Sequence, residues 1–180
     1  TIENIPGVTY KDKILGEITT NRNFDKNFTG RFCLDEIPIP NRNLLEKKYW
    51  EYYLNQFKKQ KHFSFNVDDV TGVSTINRAR GCARKKNPCS YCGIADLTLR
   101  GSSGRIFWND VRSAYSQVNA NYIYESFDSA TSWPRLLEDW VKEKPSDLDV
   151  SFFMYSQANE TNEKTAKLFK KLGVKGVNTG

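Results

Sequence analysis

The alternation of strand and helix patterns after residue 70 constrains the fold of this chain most. Short runs rich in Val, Ile, Phe and Tyr, which are typical of strands, fall at 73–76, 121–127, 149–155 and 174–177. Three amphipathic segments, at 108–118, 133–144 and 161–172, separate these four runs. The order β-α-β-α-β-α-β with short connections predicts parallel strands joined by right-handed crossovers. We therefore expect an α/β fold, a partial TIM-like (β/α) barrel of about three and a half units over residues 71–180.

Residue types at the ends of the three helical segments support this assignment. Asn109 or Asp110 stands near the start of the first segment, and Ser132 is a candidate N-cap of the second, which has a proline in its first turn. The third segment has Thr161 as its candidate N-cap and stops at Gly173.

Residues 1–70 are more irregular and predict a connector or N-terminal extension. Residues 8–10 and 14–19 flank a short polar loop, which indicates a hairpin. The two prolines within 37–40 favour an extended backbone, and the apolar spacing over 44–57 predicts a helix. The polar stretch 21–30 is expected to be a loop.

Composition excludes several classes of protein. The 180 residues are 13% aromatic, which offsets a lean hydrophobic fraction of 38% and argues against wholesale disorder. No apolar run approaches the ~18 residues that a membrane span needs, and the start of the chain has neither a signal-peptide pattern nor an initiator Met. We expect part of a longer protein that does not bind membranes, and the net charge of +6 permits an anionic partner without requiring one.

A cluster of three cysteines is the strongest chemical signal in the sequence. Six residues separate Cys82 from Cys89, and two separate Cys89 from Cys92. The cluster follows a predicted strand and precedes a predicted helix, and ligands bind at the carboxyl ends of strands in parallel α/β folds. Three thiolates at such a place suit a soft metal centre, either zinc or an iron–sulfur cluster.

The two kinds of metal centre differ in the ligands that they need. Tetrahedral structural zinc requires a fourth ligand, for which Cys33 and His62 are the remaining Cys and His residues, and both lie in the irregular first half. A [4Fe–4S] cluster held by three cysteines leaves one iron open to another ligand. Buried thiols that bind no metal are the third alternative, although the intervening segment is polar and basic.

Several segments of the chain resemble the radical S-adenosylmethionine (radical SAM) superfamily. The motif Cys89-Ser90-Tyr91-Cys92 matches the family's Cys-x-aromatic-Cys, and the segments 152–159 and 168–180 have the family's pattern. Residues 5–10 and 35–42 resemble the connector that follows a cobalamin-binding domain in the B12-dependent branch. The six-residue gap between the first two cysteines departs from the family's commonest spacing of three.

The resemblance implies a cofactor set and roles for the cysteine motif. Cys82, Cys89 and Cys92 would ligate three irons of a [4Fe–4S] cluster, and S-adenosylmethionine would chelate the fourth. Reductive cleavage would yield a 5′-deoxyadenosyl radical or support cobalamin-dependent radical methylation, with cobalamin bound by a separate domain. Tyr91 would pack near the adenine, although a core aromatic is an equal alternative.

The resemblance also implies cofactor contacts at two further strand ends. The end of the second strand falls where the family has a glycine-rich motif ending in an acid, so Ser126 and Asp128 become candidates, with Asp128 facing the cofactor's ammonium group. Ser156 and Gln157 end the third strand and would reach the same ligand. Capping of the following helix is the alternative role for Asp128.

Partners follow from the resemblance and from the charge near the cysteines. The resemblance implies an electron donor such as a flavodoxin or ferredoxin, a small-molecule or peptide substrate, and a reducing, cytoplasmic location. A tRNA-modifying relative and a non-catalytic zinc- or cluster-stabilised binding module with a basic surface are the alternatives. Five basic residues surround the thiols, and a solvated loop is the favoured explanation for them: Arg78, Arg80, Arg84, Lys85 and Lys86.

Overall fold

The computed structural model describes residues 9–11, 16–20, 33–60, 63–82 and 99–179. The chain divides into two compact units, Thr1–Phe32 and Cys33–Gly180. In the first unit, β1 (Thr9–Lys11) pairs antiparallel with β2 (Ile18–Thr20), which confirms the hairpin. Lys11 pairs with Ile18 in the ladder instead of lying in the predicted loop. The predicted loop at 21–30 lies outside the described residues, and the predicted domain boundary at residue 70 stays a prediction.

The second unit alternates helices and strands after a short connector. Its elements in chain order are α1 (Lys47–Lys58), β3 (Val73–Ile76), β4 (Ala79–Arg80), β5 (Arg100–Gly101), α2 (Gly104–Val118), β6 (Tyr122–Glu125), α3 (Pro134–Lys142), β7 (Ser151–Ser156), α4 (Glu163–Leu172) and β8 (Val174–Thr179). Four of the strands form one parallel sheet in the order β3-β6-β7-β8, and β4 pairs antiparallel with β5. The predicted α/β fold with parallel strands is confirmed.

One face of the parallel sheet carries the main core. Alternate strand residues such as Ile76, Ile123 and Phe152 are almost fully buried there among side chains of α2, α3 and α4. The Phe107 and Trp140 rings stack with their centroids 3.9 Å apart. Because side chains alternate between the two faces of a strand, these buried residues face the helices and their neighbours face the other side of the sheet.

The opposite face of the sheet is aromatic and packs against the connector. Phe57, at the end of α1, lies 4.8 Å from the ring of Tyr122 on β6. Further along this face, the rings of Tyr124, Phe153 and Tyr155 lie between 5.6 Å and 5.9 Å from one another. The helix predicted over 44–57 corresponds to α1, which begins three residues later and ends one residue later than predicted.

The first helix of the β/α part begins earlier than the sequence pattern predicts. The cap is Ser103, whose hydroxyl accepts a hydrogen bond from the Ile106 backbone N–H, so α2 starts at Gly104 rather than near Asn109 or Asp110. The prediction was wrong because the Gly/Ser-rich stretch 101–104 has the composition of a loop. A serine within it is nevertheless a favourable N-cap, and the helix begins there.

The caps of the other two helices also differ from the prediction. Asn162, not Thr161, caps α4, and it exchanges side-chain and backbone hydrogen bonds with Thr165 in a capping box. The Ser132 hydroxyl donates to Glu160 instead of capping α3. Gly173 ends α4 as predicted, in the left-handed region at φ 97° that favours glycine.

A buried cluster of charges fastens the connector to the β/α part. The two oxygens of Asp110 on α2 accept hydrogen bonds from Arg78 Nε at 2.7 Å and from Arg42 Nη2 at 2.9 Å. Arg78 Nη1 also donates to the backbone oxygens of Leu34 and Ile37, at 3.2 Å and 3.0 Å. Arg78 is 2% exposed, so its prediction as part of a solvated basic loop was wrong.

We predict that Asp110→Asn lowers the free energy of unfolding by about 3–5 kcal/mol, because it leaves two buried guanidinium groups facing one neutral amide. Asp147→Asn is the matched control, since Asp147 also bonds an arginine, Arg112, but its side chain is 65% exposed. Urea unfolding of both variants measures the difference. Equal losses in the two variants would contradict a stabilising role for the buried cluster.

Candidate functional site

The carboxyl ends of three neighbouring parallel strands meet at one edge of the sheet. The register pairs Ile76, the last residue of β3, with Glu125 of β6, and Glu125 with Met154 of β7. The segments that leave these three strand ends therefore start side by side. They carry Cys82 and four of the sequence-predicted cofactor residues: Ser126, Asp128, Ser156 and Gln157.

Three of the predicted residues contact one another or adjacent backbone at this edge. The Gln157 side chain donates from Nε2 to Cys82 Sγ at 3.4 Å. Asp128 Oδ2 accepts a hydrogen bond from the backbone N–H of Gly81, the residue before Cys82, at 3.1 Å. Gly81 adopts φ 95°, a conformation that favours glycine, so the turn into Cys82 depends on this residue type.

The remaining ligand candidates stay predictions. Cys89, Tyr91, Cys92 and His62 lie outside the described residues, and Cys33 is exposed. Within the ranges that the structure describes, no three His, Cys, Asp or Glu side chains are grouped closely enough to hold a metal ion.

The two predicted serines take part in local hydrogen bonding. The Ser126 hydroxyl donates to the Ile76 carbonyl at 3.2 Å, which ties the end of β6 to the end of β3. The buried Ser156 hydroxyl lies 3.0 Å from Thr131 Oγ1 and 2.7 Å from Thr161 Oγ1. Both serines order the strand ends, and their contact with a cofactor stays a prediction.

A buried carboxylate that is not among the sequence-predicted residues lies at the end of β6, beside the site. Glu125 is fully buried, and its carboxylate accepts hydrogen bonds from the backbone N–H groups of Arg78 at 2.8 Å and Phe127 at 2.6 Å. Burial raises the pKa of Glu125 to about 7, although the hydrogen bonds from the backbone oppose this shift. The signal in the sequence is an acid at the end of an apolar strand, whereas the family resemblance points to Asp128.

A large cavity lies on the aromatic face of the sheet, apart from these residues. Its volume is about 740 Å³, and none of the described candidate site residues lines it. The walls come from the connector, α1 and three strands, and they include Arg42, Trp50, Phe57, Thr75, Tyr124 and Phe153. The cavity is therefore a feature of the sheet's aromatic face rather than of the cysteine turn.

Comparison with solved structures finds the same fold in parts of two S-adenosylmethionine radical enzymes. One is the cobalamin-dependent S-adenosylmethionine radical enzyme OxsB with aqua-cobalamin and S-adenosylmethionine bound, with a TM-score of 0.65 and 15% identity over 100% of this chain and 24% of that chain. The other is the radical S-adenosylmethionine methyltransferase TsrM from Kitasatospora setae with cobalamin and a [4Fe–4S] cluster bound, with a TM-score of 0.50 and 21% identity over 61% of this chain and 22% of that chain.

The chain has the fold of part of a radical SAM enzyme. This confirms the fold that the sequence resemblance implies, and the chain spans less than a quarter of the length of the two solved enzymes. No protein-family model matches the chain, and no curated protein sequence matches it significantly. Among the described residues, no helix has both the length and the apolar character that a membrane crossing needs.

We predict that Glu125 makes stability fall as pH rises. Because its pKa is raised in the folded state from 4.5 to about 7, the folded chain binds more protons than the unfolded chain between these values. Its contribution is complete below pH 4.5 and is lost as pH rises through about 7. Urea unfolding of wild type and Glu125→Gln from pH 5 to 8 tests this, since a constant cost of the substitution cancels in the slope. If the free energies of unfolding of the two proteins changed in parallel with pH, the raised pKa of Glu125 would be contradicted.

Proposed function

We propose that this chain is part of a cobalamin-associated radical SAM enzyme, in which Cys82, Cys89 and Cys92 hold a [4Fe–4S] cluster. The observation that carries the proposal is the position of Cys82 at the carboxyl edge of the parallel sheet, within hydrogen-bond distance of Gln157. The fold shared with parts of two S-adenosylmethionine radical enzymes that were solved with cobalamin bound supports it.

The described part of the site fits an iron–sulfur cluster chemically. Thiolates are the usual ligands of such clusters, and they accept hydrogen bonds from amide N–H groups. Gln157 provides such a donor to Cys82, and Asp128 holds the backbone that carries this cysteine. When bound, the cluster supplies the electron for reductive cleavage of S-adenosylmethionine.

The chain's own residues would orient this chemistry. The hydroxyl groups of Thr131, Ser156 and Thr161 form one hydrogen-bonded network at the end of β7. On the other face of the sheet, the rings of Tyr124, Phe153 and Tyr155 form a mostly apolar wall.

The proposal extends to partners by analogy with the solved enzymes. Both are described with cobalamin bound, and one TsrM structure contains a tryptophan substrate and a SAM analogue. For this chain we propose cobalamin as a further cofactor, a small-molecule or peptide substrate, and a flavodoxin or ferredoxin as the electron donor. Cluster chemistry also places the protein in a reducing, cytoplasmic compartment under this proposal.

We predict that anaerobic reconstitution with iron and sulfide loads about four irons per chain. Cys82→Ala, Cys89→Ala and Cys92→Ala each lower the iron content and remove the cluster's absorbance, because each removes one of three ligands. Cys33→Ala is the matched control and retains the cluster, since Cys33 is exposed and outside the motif. Metal analysis and electron paramagnetic resonance of the reduced protein provide the measurement.

Two other outcomes would replace the proposal. About one tightly held zinc per chain, lost in Cys33→Ala, would indicate a structural zinc site in a binding module. RNA binding that weakens steeply with salt, in a chain that holds a cluster, would indicate a tRNA-modifying relative instead of one that acts on a small molecule or peptide.

A further inference from the structure

We propose that Asp128 and Gln157 are positioning residues for Cys82, and that the Gln157 amide raises the reduction potential of the cluster that Cys82 helps to hold. This inference rests on the proposed function. It assigns the two residues to the cysteine turn rather than to S-adenosylmethionine, the ligand that the sequence resemblance implies for them.

The contact of Asp128 is with the backbone that leads into the motif. Its Oδ2 accepts at 3.1 Å from the N–H of Gly81, which has a positive φ of 95°. Just before the turn, Arg80 Nε donates to Asn77 Oδ1 at 3.2 Å, and Glu125 accepts from the Arg78 N–H. Two carboxylates from the end of β6 therefore fix the direction in which the chain reaches Cys82.

Hydrogen bonds order the backbone of Gln157 independently of the contact between its side chain and the thiol. Its N–H donates to Thr131 Oγ1 at 3.2 Å, and its carbonyl oxygen accepts from Thr161 Oγ1 at 2.9 Å and from the Glu160 N–H at 3.1 Å. Thr131 and Thr161 are themselves joined through the Ser156 hydroxyl. Because the backbone is already ordered, the amide loses less conformational entropy when it donates to Cys82 Sγ.

The hydrogen bond to sulfur has a defined consequence for an iron–sulfur centre. One-electron reduction adds negative charge that is shared with the thiolate ligands, and a donor on a sulfur stabilises that charge. Loss of the donor therefore makes the cluster harder to reduce. A neutral amide does this without a new charge, whereas a carboxylate in the same place opposes reduction further.

The test compares the reduction potentials of three reconstituted proteins by electron paramagnetic resonance at controlled potential: wild type, Gln157→Met and Gln157→Glu. Methionine keeps the length of glutamine but cannot donate, and glutamate keeps its shape but adds charge. We expect Gln157→Met to lower the reduced-to-oxidised ratio at fixed potential about tenfold, which is about 59 mV for one electron. The potential of Gln157→Glu should be lower still. Gln60, an exposed glutamine two residues after the end of α1, is the control, and Gln60→Met should match wild type.

Asp128 is tested with a conservative pair of variants. Asn keeps an oxygen that accepts from the Gly81 N–H, so Asp128→Asn should retain wild-type iron content and bind S-adenosylmethionine with an affinity within about twofold of wild type. Asp128→Ala should lose much of its iron, because the turn has no acceptor. A tenfold or larger loss of S-adenosylmethionine affinity in Asp128→Asn would indicate the charge-assisted contact with its ammonium group instead, and would overturn the positioning role.

The outcomes separate this inference from the proposed function. Wild-type protein that assembles no cluster contradicts the proposed function. Wild-type protein that assembles a cluster, together with an unchanged or higher potential in Gln157→Met, contradicts the role of Gln157. Potential and iron content are both measured without S-adenosylmethionine, so they decide independently of how tightly the chain binds it.

Discussion

The buried Asp110 carboxylate, shared by Arg78 and Arg42, is the interaction on which the rest of the second unit depends. It joins α2, the connector and the segment after β3 in one place. Arg78 also donates hydrogen bonds to the connector carbonyls of Leu34 and Ile37. Detachment of the connector would therefore remove partners from a buried guanidinium group. A buried pair of this kind gives little net stability, but breaking it is costly. Its effect here is to fix where the chain leaves β3, four residues before Cys82.

The candidate site takes its geometry from that fixed exit and from the parallel sheet. Glu125 holds the backbone of Arg78, and Asp128 holds Gly81. From the next strand, Gln157 reaches the Cys82 thiol. Parallel pairing brings these strand ends to one edge of the sheet, and ligands bind at this edge in α/β folds. The same register leaves the aromatic face free to form the cavity beside α1.

The sequence predicts the architecture better than it predicts individual contacts. Periodicity located the four parallel strands because alternate burial is strong in residues such as Phe152 and Met154. It misplaced the start of α2, since Ser103 caps a helix within a stretch that reads as a loop. It also gave no sign that Arg78 is buried, because ion pairing with Asp110 depends on residues 32 positions apart. The contact between Gln157 and Cys82 joins residues 75 positions apart and depends on strand order in the same way.

Mössbauer spectroscopy of the chain reconstituted with ⁵⁷Fe tests the central claim most directly, because it counts iron sites by their ligands. Ligation by three cysteines predicts a [4Fe–4S] cluster in which one iron differs from the other three and changes its isomer shift when S-adenosylmethionine is added. Four equivalent irons that do not respond to S-adenosylmethionine would show a fully protein-ligated cluster. That result would contradict the account.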